Sequence, residues 1–152
     1  MNILFICTGN TCRSPLAQVL LERSLADKGL KDIQVVSAGI AAIPGSPASQ
    51  GSQEVLLPPE DLSAHRARQV DEETMAQADL VLTMTIGHKQ MLTKLFPRWS
   101  EKIFTLNGYA GYGEKDIADP FGGNRENYLL ARREIQEAVE NVARYLAKKD
   151  VE

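Results

Sequence analysis

An uninterrupted apolar run near the start of the chain leads directly into a short loop that contains a cysteine, an arginine and a serine. Residues 3–6 read Ile-Leu-Phe-Ile, and residues 7–14 follow as Cys-Thr-Gly-Asn-Thr-Cys-Arg-Ser. A run that is apolar at every position is typical of a strand buried on both faces, as in a parallel sheet. Pro15 and the apolar residues after it predict a helix. This order of strand, tight loop and helix restricts the chain to few folds.

Strand and helix patterns alternate along the rest of the sequence. They predict strands at 2–7, 33–38, 80–84 and 103–106, and helices at 15–28, 49–57, from 71, at 87–96 and at 125–148. This alternation favours an α/β fold of three layers, with a central four-stranded parallel sheet and helices on both faces. The chain has 152 residues, of which 43% are hydrophobic, so we expect a single domain spanning residues 1–152.

The loop after the first strand carries the groups needed for covalent catalysis on an oxyanion. Sites in such folds lie at the carboxyl ends of strands, where Cys7 is expected. Loop N–H groups at a helix start form an anion-binding nest, and together with Arg13 they favour the thiolate of Cys7. Arg13 can also hold two oxygens of the anion, and Ser14 can donate its hydroxyl to the thiolate. The pattern predicts phosphoryl transfer to Cys7 followed by hydrolysis; the alternative is a buried, inert cysteine.

Such a reaction also needs an acid, because the departing atom must receive a proton and water must later be activated. Asp119 is the first candidate, since Pro120 biases it toward an extended backbone and the Gly122-Gly123 pair suits a loop that passes close to a site. Asp116 is a rival that the chemistry alone does not exclude. Asp-Pro and Gly-Gly are also ordinary turn signals, so a plain turn is the third possibility.

Five motifs, taken together, resemble the low-molecular-weight protein tyrosine phosphatase family. They are Cys7 to Ser14, Ser37-Ala38-Gly39, His65 to Gln69, Asp79 to Met84 and Asp119-Pro120. The resemblance covers Met1 to about Lys149 and implies the strand order 2-1-3-4.

The resemblance also implies a role for each matching residue. Cys7 would be the nucleophile, Arg13 the phosphate clamp, and Asp119 the general acid and then the base. The phosphate would be bound by Thr8, Gly9, Asn10, Thr11, Cys12 and Arg13. A supporting hydrogen-bond network would join Asn10, Ser14, Ser37 and His65, although a lone histidine in such a position is more often a surface residue.

Two departures from the family pattern bear on specificity. Thr11 stands where the family usually has an aliphatic residue, and Phe121 is followed by Gly122 where two aromatic residues are usual. The segment 40–43, expected on the opposite wall, also has no aromatic side chain, although a phosphotyrosine site should offer flat π-faces. The loop resembles a bacterial subgroup that acts on protein phosphoarginine. We therefore predict a protein arginine phosphatase whose specificity residues are Thr11 and Phe121.

Three other functions are compatible with parts of this pattern. A phosphotyrosine phosphatase would have the same fold and mechanism, with Thr11 as a neutral variation. An arsenate reductase would need further cysteines to relay a disulfide, and none follows Cys12. A non-enzymatic anion-binding module would not need the nucleophile and acid together.

The second cysteine, Cys12, lies inside the same loop. It is too close to Cys7 to staple the fold, so we predict that the pair is redox-active and that Cys12 traps an oxidised Cys7 as a disulfide. The alternative is a small residue packed under the loop.

Charge, histidine spacing and the start of the first strand restrict the partners, cofactors and location that we expect. The net charge of −3 implies no strong attraction to nucleic acid or anionic membranes. His65 and His88 lack the spacing of metal ligands, so no metal and no cofactor are expected. The first strand begins at residue 2, so we expect no targeting segment and a cytoplasmic location. The expected partners are phosphorylated proteins, carrying phosphoarginine or alternatively phosphotyrosine, with a protein arginine kinase acting in opposition.

Overall fold

In a computed structural model of the chain, four parallel strands form one sheet. The structure describes the backbone of residues 1–151 and the side chains of residues 1–149. The strands are β1 (Asn2–Cys7), β2 (Gln34–Gly39), β3 (Leu80–Thr83) and β4 (Ile103–Thr105). They lie side by side in the order β2-β1-β3-β4. The expected α/β fold and its strand order 2-1-3-4 are therefore confirmed.

The helices surround this sheet. They are α1 (Arg13–Asp27), α2 (Gln50–Glu54), α3 (Glu72–Gln77), α4 (Ile86–Leu95), α5 (Leu106–Tyr109) and α6 (Arg125–Val151), with a 3₁₀ helix at Pro97–Lys102. Helix α5 and the 3₁₀ helix were not predicted, because such short elements carry no periodic apolar pattern. Helix α1 begins before the predicted Pro15, which is tolerated because N–H groups in a first turn have no intrahelical acceptor.

Alternate side chains of β1 enter two different cores. Ile3 and Phe5 pack on the side of α1 and α6, while Leu4 and Ile6 pack on the side of α3 and α4. All four side chains are fully buried. This two-sided burial explains why the strand has no polar position between residues 3 and 6. Within the described chain, no helix has the length and apolar character needed to cross a lipid bilayer.

Three segments meet at the carboxyl edge of the sheet. Cys7 ends β1 and pairs in register with Gly39, the last residue of β2. Residues 8–12, which we call the cysteine loop, then connect β1 to α1. On the other side of β1, Met84 N donates to Ile6 O (3.0 Å) and Ile117 N donates to Met84 O (2.9 Å). The segment that carries the late aspartates is thereby attached to the same edge.

Gly39 packs so closely against the backbone of the cysteine loop that no side chain fits at this position without movement of the loop. A Cβ added at this position would lie 2.5 Å from Thr8 O and 3.0 Å from Asn10 N, so the loop would have to move. We expect Gly39→Ala to lower the free energy of unfolding by roughly 1–3 kcal/mol, the usual cost of overpacking. Urea unfolding measures this loss.

Gly87→Ala is the matched control for that substitution. The nearest atom to a Cβ there is Thr85 Oγ1, at 3.7 Å, so alanine meets no obstacle in α4. Equal stability of the two variants would contradict the close packing of Gly39 on the loop.

Candidate active site

A cavity of about 230 Å³ opens above the end of β1, where the sequence predicted a site. Its walls are formed by Cys7, Thr8, Gly9, Thr11, Cys12, Arg13, Asp119 and Phe121. The structure therefore brings together the predicted nucleophile, clamp, acid and specificity residues. The volume suits a small polar group such as a phosphoryl group together with the atoms that carry it.

Asn10 holds the cysteine loop in shape. Its φ of 56° lies in the left-handed region, which asparagine tolerates better than most residues. Its fully buried side-chain amide donates to Ser14 Oγ (2.8 Å) and Ser37 Oγ (2.9 Å). Its Oδ1 accepts from Arg68 N (3.0 Å), and its backbone O accepts from His65 Nε2 (2.8 Å).

These contacts join all four residues of the predicted supporting network. His65 must carry its proton on Nε2, because a carbonyl oxygen only accepts. The imidazole therefore donates to the loop backbone from outside the cavity and does not line it.

The Cys7 sulfur receives hydrogen bonds from the same network. Ser14 Oγ lies 2.9 Å from Cys7 Sγ, and Asn10 N donates to that sulfur at 3.3 Å. Because the Asn10 amide already donates to the Ser14 oxygen, the Ser14 hydroxyl proton is free to point at the sulfur. Donors directed at a sulfur stabilise its thiolate form, which is the reactive nucleophile.

Arg13 lies in the first turn of α1 and is 4% exposed. Its Nη1 donates to Ile117 O (2.9 Å), and its Nη2 lies 3.6 Å from Asp119 Oδ2. The guanidinium is thus fixed to the segment that carries the aspartate. A buried, oriented guanidinium beside backbone N–H groups is suited to hold a tetrahedral dianion.

The two candidate acids lie in different surroundings. Asp119 lines the cavity, and its side chain is 54% exposed. Asp116 Oδ1 instead accepts from Ile86 N (2.8 Å) at the start of α4, and Asp116 does not line the cavity. The structure therefore favours Asp119, the acid that the resemblance implied, as the group able to reach a leaving atom; the chemistry of the residues alone had not excluded Asp116.

The side walls contain few aromatic groups. Phe121 is the one aromatic residue among those that line the cavity, and it is 75% exposed. Thr11 is half-buried and also lines the cavity. Residues 40–43, expected on the opposite wall, are not among the residues that line this cavity. Ile40 N and Ala41 N donate to Cys7 O and Thr8 O, so this segment supports the loop through its backbone.

Cys12 lines the cavity, and its sulfur contacts the start of α2 and the side of α6. It is 5% exposed, and its Sγ lies 3.4 Å from Ser49 Oγ and 3.7 Å from Tyr128 Oη. Burial raises the pKa of Tyr128. Both cysteines are free thiols.

One residue near the site was missed as a functional candidate. His88 Nε2 lies 2.8 Å from Thr8 Oγ1, and burial, reinforced by the charge of Arg13, lowers the His88 pKa to about 4. No local sequence pattern connects residues 8 and 88, so the sequence carries no signal for this contact. Among residues 1–149, no group of three or more His, Cys, Asp or Glu side chains could hold a metal ion.

Comparison with known proteins places this geometry in a family. Residues 2–152 match the sequence profile of the low molecular weight phosphotyrosine protein phosphatases. A protein-arginine-phosphatase of Geobacillus stearothermophilus is 44% identical over 144 residues, 95% of each chain. The low molecular weight protein-tyrosine-phosphatase PtpB of Staphylococcus epidermidis is 37% identical over 93% of this chain and 96% of its own length.

A solved structure extends the comparison to three dimensions. It is that of a YwlE arginine phosphatase carrying a C7S mutation and a phosphorylated active-site serine. The TM-score is 0.91 and the identity 38%, over 96% of this chain and 95% of that chain. The fold of the two proteins is the same.

Proposed function

This chain belongs to the low molecular weight phosphotyrosine protein phosphatase family and is a phosphatase, and from that premise we propose that it hydrolyses phosphoarginine in proteins. The observation that carries the substrate proposal is Thr11, a hydroxyl-bearing side chain on the cavity wall beside a single aromatic ring. Residues 1–152 would act as one phosphatase domain. The 44% identity to a protein-arginine-phosphatase supports the same substrate class.

In the first step, the Cys7 thiolate attacks phosphorus. A sulfur–phosphorus bond forms while the bond from phosphorus to the guanidinium nitrogen breaks, and Asp119 gives its proton to that nitrogen. The products are an unmodified arginine side chain and a cysteinyl phosphate. The position of Asp119 on the cavity wall supports this role.

In the second step, water hydrolyses the cysteinyl phosphate. The Asp119 carboxylate takes a proton from the water, the water oxygen bonds to phosphorus, and Cys7 leaves as a thiolate. The Ser14 hydroxyl at 2.9 Å stabilises the departing sulfur. The phosphorylated serine in the C7S arginine phosphatase supports a covalent phosphoryl group at the corresponding position.

The transferred group would be held by the cysteine loop and by Arg13. Backbone N–H groups of the loop and the guanidinium face the charge that spreads over the phosphoryl oxygens in the transition state. Because Asn10 fixes the loop and Ile117 O fixes the guanidinium, these donors need no rearrangement when the charge develops. Such preorganised donors supply a large part of the rate enhancement in many enzymes.

Thr11 and Phe121 would select the substrate. A phosphotyrosine needs flat apolar walls for its ring, whereas the flexible side chain of phosphoarginine presents a polar phosphoramidate nitrogen next to phosphorus. Thr11 can hydrogen-bond this nitrogen or the attacking water, and the single ring of Phe121 can stack on a guanidinium. A phosphotyrosine phosphatase remains the second candidate, because the PtpB protein is 37% identical.

The partners follow from this chemistry. The substrates would be proteins carrying phosphoarginine, and a protein arginine kinase must act in opposition to form them. We propose a cytoplasmic location, since a reducing compartment keeps the Cys7 thiol available.

Cys12 would protect the nucleophile from irreversible oxidation. Peroxide converts the Cys7 thiolate to a sulfenic acid, and the Cys12 thiol then forms a disulfide with Cys7 and releases water. A thiol reductant restores both cysteines. Cys12 must first turn away from Ser49 and Tyr128, which hold its sulfur in the reduced protein.

The substrate proposal predicts a preference that can be measured directly. Hydrolysis of a phosphoarginine protein is compared with that of a matched phosphotyrosine peptide. We expect kcat/KM to favour phosphoarginine by roughly tenfold or more, and Cys7→Ser to abolish both activities. Thr11→Ile should move the ratio toward phosphotyrosine by roughly tenfold. A preference for phosphotyrosine in the wild type would contradict the substrate proposal but would not affect the proposed phosphatase mechanism.

The two aspartates give a matched pair for the acid role. Asp119→Asn should lower kcat by roughly 10²- to 10⁴-fold on phosphoarginine, and by less on p-nitrophenyl phosphate, whose leaving group needs little protonation. Asp116→Asn keeps an oxygen that can accept from Ile86 N and should stay within about threefold of the wild type. A larger loss in the Asp116 variant would reverse the assignment.

The redox role is tested by recovery from oxidation. After brief peroxide treatment and then dithiothreitol, the wild type should regain most of its phosphatase activity. Cys12→Ser should regain clearly less, because its Cys7 proceeds to sulfinic acid. Equal recovery would remove the protective role of Cys12.

A further inference from the structure

His88 contacts the cavity wall from the outside through the side chain of Thr8. It is the third residue of α4, whose N-cap Thr85 accepts from His88 N. The ring Nε2 lies 2.8 Å from Thr8 Oγ1. Thr8 is itself exposed and lines the cavity, so its hydroxyl has His88 on one side and the substrate space on the other.

The imidazole of His88 is neutral at physiological pH. Burial lowers its pKa to about 4, and the guanidinium of Arg13 acts in the same direction. The carboxylates of Asp116 and Asp119 oppose this effect without overcoming it. The N-terminal end of α4, which carries a partial positive charge, also disfavours an imidazolium.

A neutral imidazole has one N–H, and the surroundings indicate which nitrogen carries it. Nδ1 is buried and has no hydrogen-bond partner among the described residues. If the proton were on Nδ1, a buried N–H group would have no hydrogen-bond acceptor. If the proton is on Nε2, Nδ1 has only a lone pair without a donor. Buried N–H groups without an acceptor are rarer in proteins than buried acceptor atoms without a donor. The Nε2–H tautomer is therefore favoured, and it donates to Thr8 Oγ1.

We propose that His88 is a positioning residue that donates to Thr8 Oγ1 and thereby turns the Thr8 hydroxyl proton toward a phosphoryl oxygen in the cavity. The hydroxyl oxygen already receives one hydrogen bond, so its own proton is left to donate. Ala41 N donates to Thr8 O (2.9 Å), which fixes the backbone beneath this side chain. The inference rests on the proposed function, because it needs a phosphoryl group at Cys7.

Such a contact would contribute a side-chain donor to an otherwise backbone-lined nest. Without His88, the Thr8 hydroxyl rotates freely and spends part of its time pointed away from the substrate. A hydrogen bond to a charged oxygen is stronger than one between neutral groups, and it strengthens further as charge builds up on that oxygen. The effect should therefore fall on the transition state more than on KM.

The experiment measures kcat and KM on p-nitrophenyl phosphate and the inhibition constant of orthovanadate, which imitates the five-coordinate phosphorus. His88→Leu and Thr8→Val should each lower kcat/KM by roughly tenfold, mainly through kcat, and weaken vanadate inhibition to a similar extent. The double variant should lose no more than either single variant, because both remove the same contact.

Two conservative variants separate positioning from simple packing. His88→Gln places an amide N–H near the position of Nε2 and should recover most of the activity. Thr8→Ser keeps the hydroxyl and should retain a clearly higher kcat/KM than Thr8→Val. Thermal unfolding of every variant, followed by circular dichroism, identifies any that has lost the fold.

Other outcomes overturn the proposal. If Thr8 instead donates its proton to Nε2, His88→Leu frees that proton, and kcat/KM holds or rises. Additive losses in the double variant would mean that His88 acts only through packing. A wild-type protein without Cys7-dependent hydrolysis would overturn the proposed function and this inference with it, whereas an active wild type matched by His88→Leu overturns the inference alone.

Discussion

The buried side chain of Asn10 is the interaction on which the site depends. The left-handed backbone at this residue turns the cysteine loop back over the end of β1, and its amide group holds Ser14, Ser37 and the backbone of residue 68 at once. An amide is the group that can donate twice and also accept, so neither aspartate nor leucine could make the same three contacts. Because Ser14 and Ser37 are themselves buried, these contacts hold the loop in this shape before any substrate binds.

The parallel sheet determines where this rigid loop can form. Every strand points its carboxyl end to the same edge, so the end of β1, the glycine that ends β2 and the segment beyond β3 converge there. Gly39 leaves room for the loop backbone, and Ile117 O accepts from Arg13 on the other side. The proposed nucleophile Cys7 and the proposed anion clamp Arg13 therefore come from one loop and the proposed acid Asp119 from a distant segment, yet all three lie at the same edge.

The parts that the sequence predicted are those with local signals. The apolar run, the loop spacing and the helix start all lie within residues 2–20, and the alternation of patterns was sufficient to predict a parallel sheet. The local signals at Pro120 and Gly122-Gly123 favoured Asp119 but did not exclude Asp116, because the contact that occupies Asp116 joins it to the start of α4. The contact between Thr8 and His88 joins residues that are 80 positions apart and follows no motif. The local sequence patterns therefore could not predict these two contacts between distant residues.

In the proposed function, the choice of substrate depends both on the groups that line the cavity and on the scarcity of aromatic groups there. Hydrolysis at a rigid anion nest is indifferent to the rest of the substrate, so discrimination must come from the walls around the leaving group. A single exposed ring can cover only one face of a phosphotyrosine ring, whereas a hydroxyl beside the scissile bond can hydrogen-bond a nitrogen that loses its water on binding. Under the proposed function, Thr11 and Phe121 together would favour a flexible, polar leaving group over a flat aromatic one, while the mechanism at Cys7 would stay the same for both.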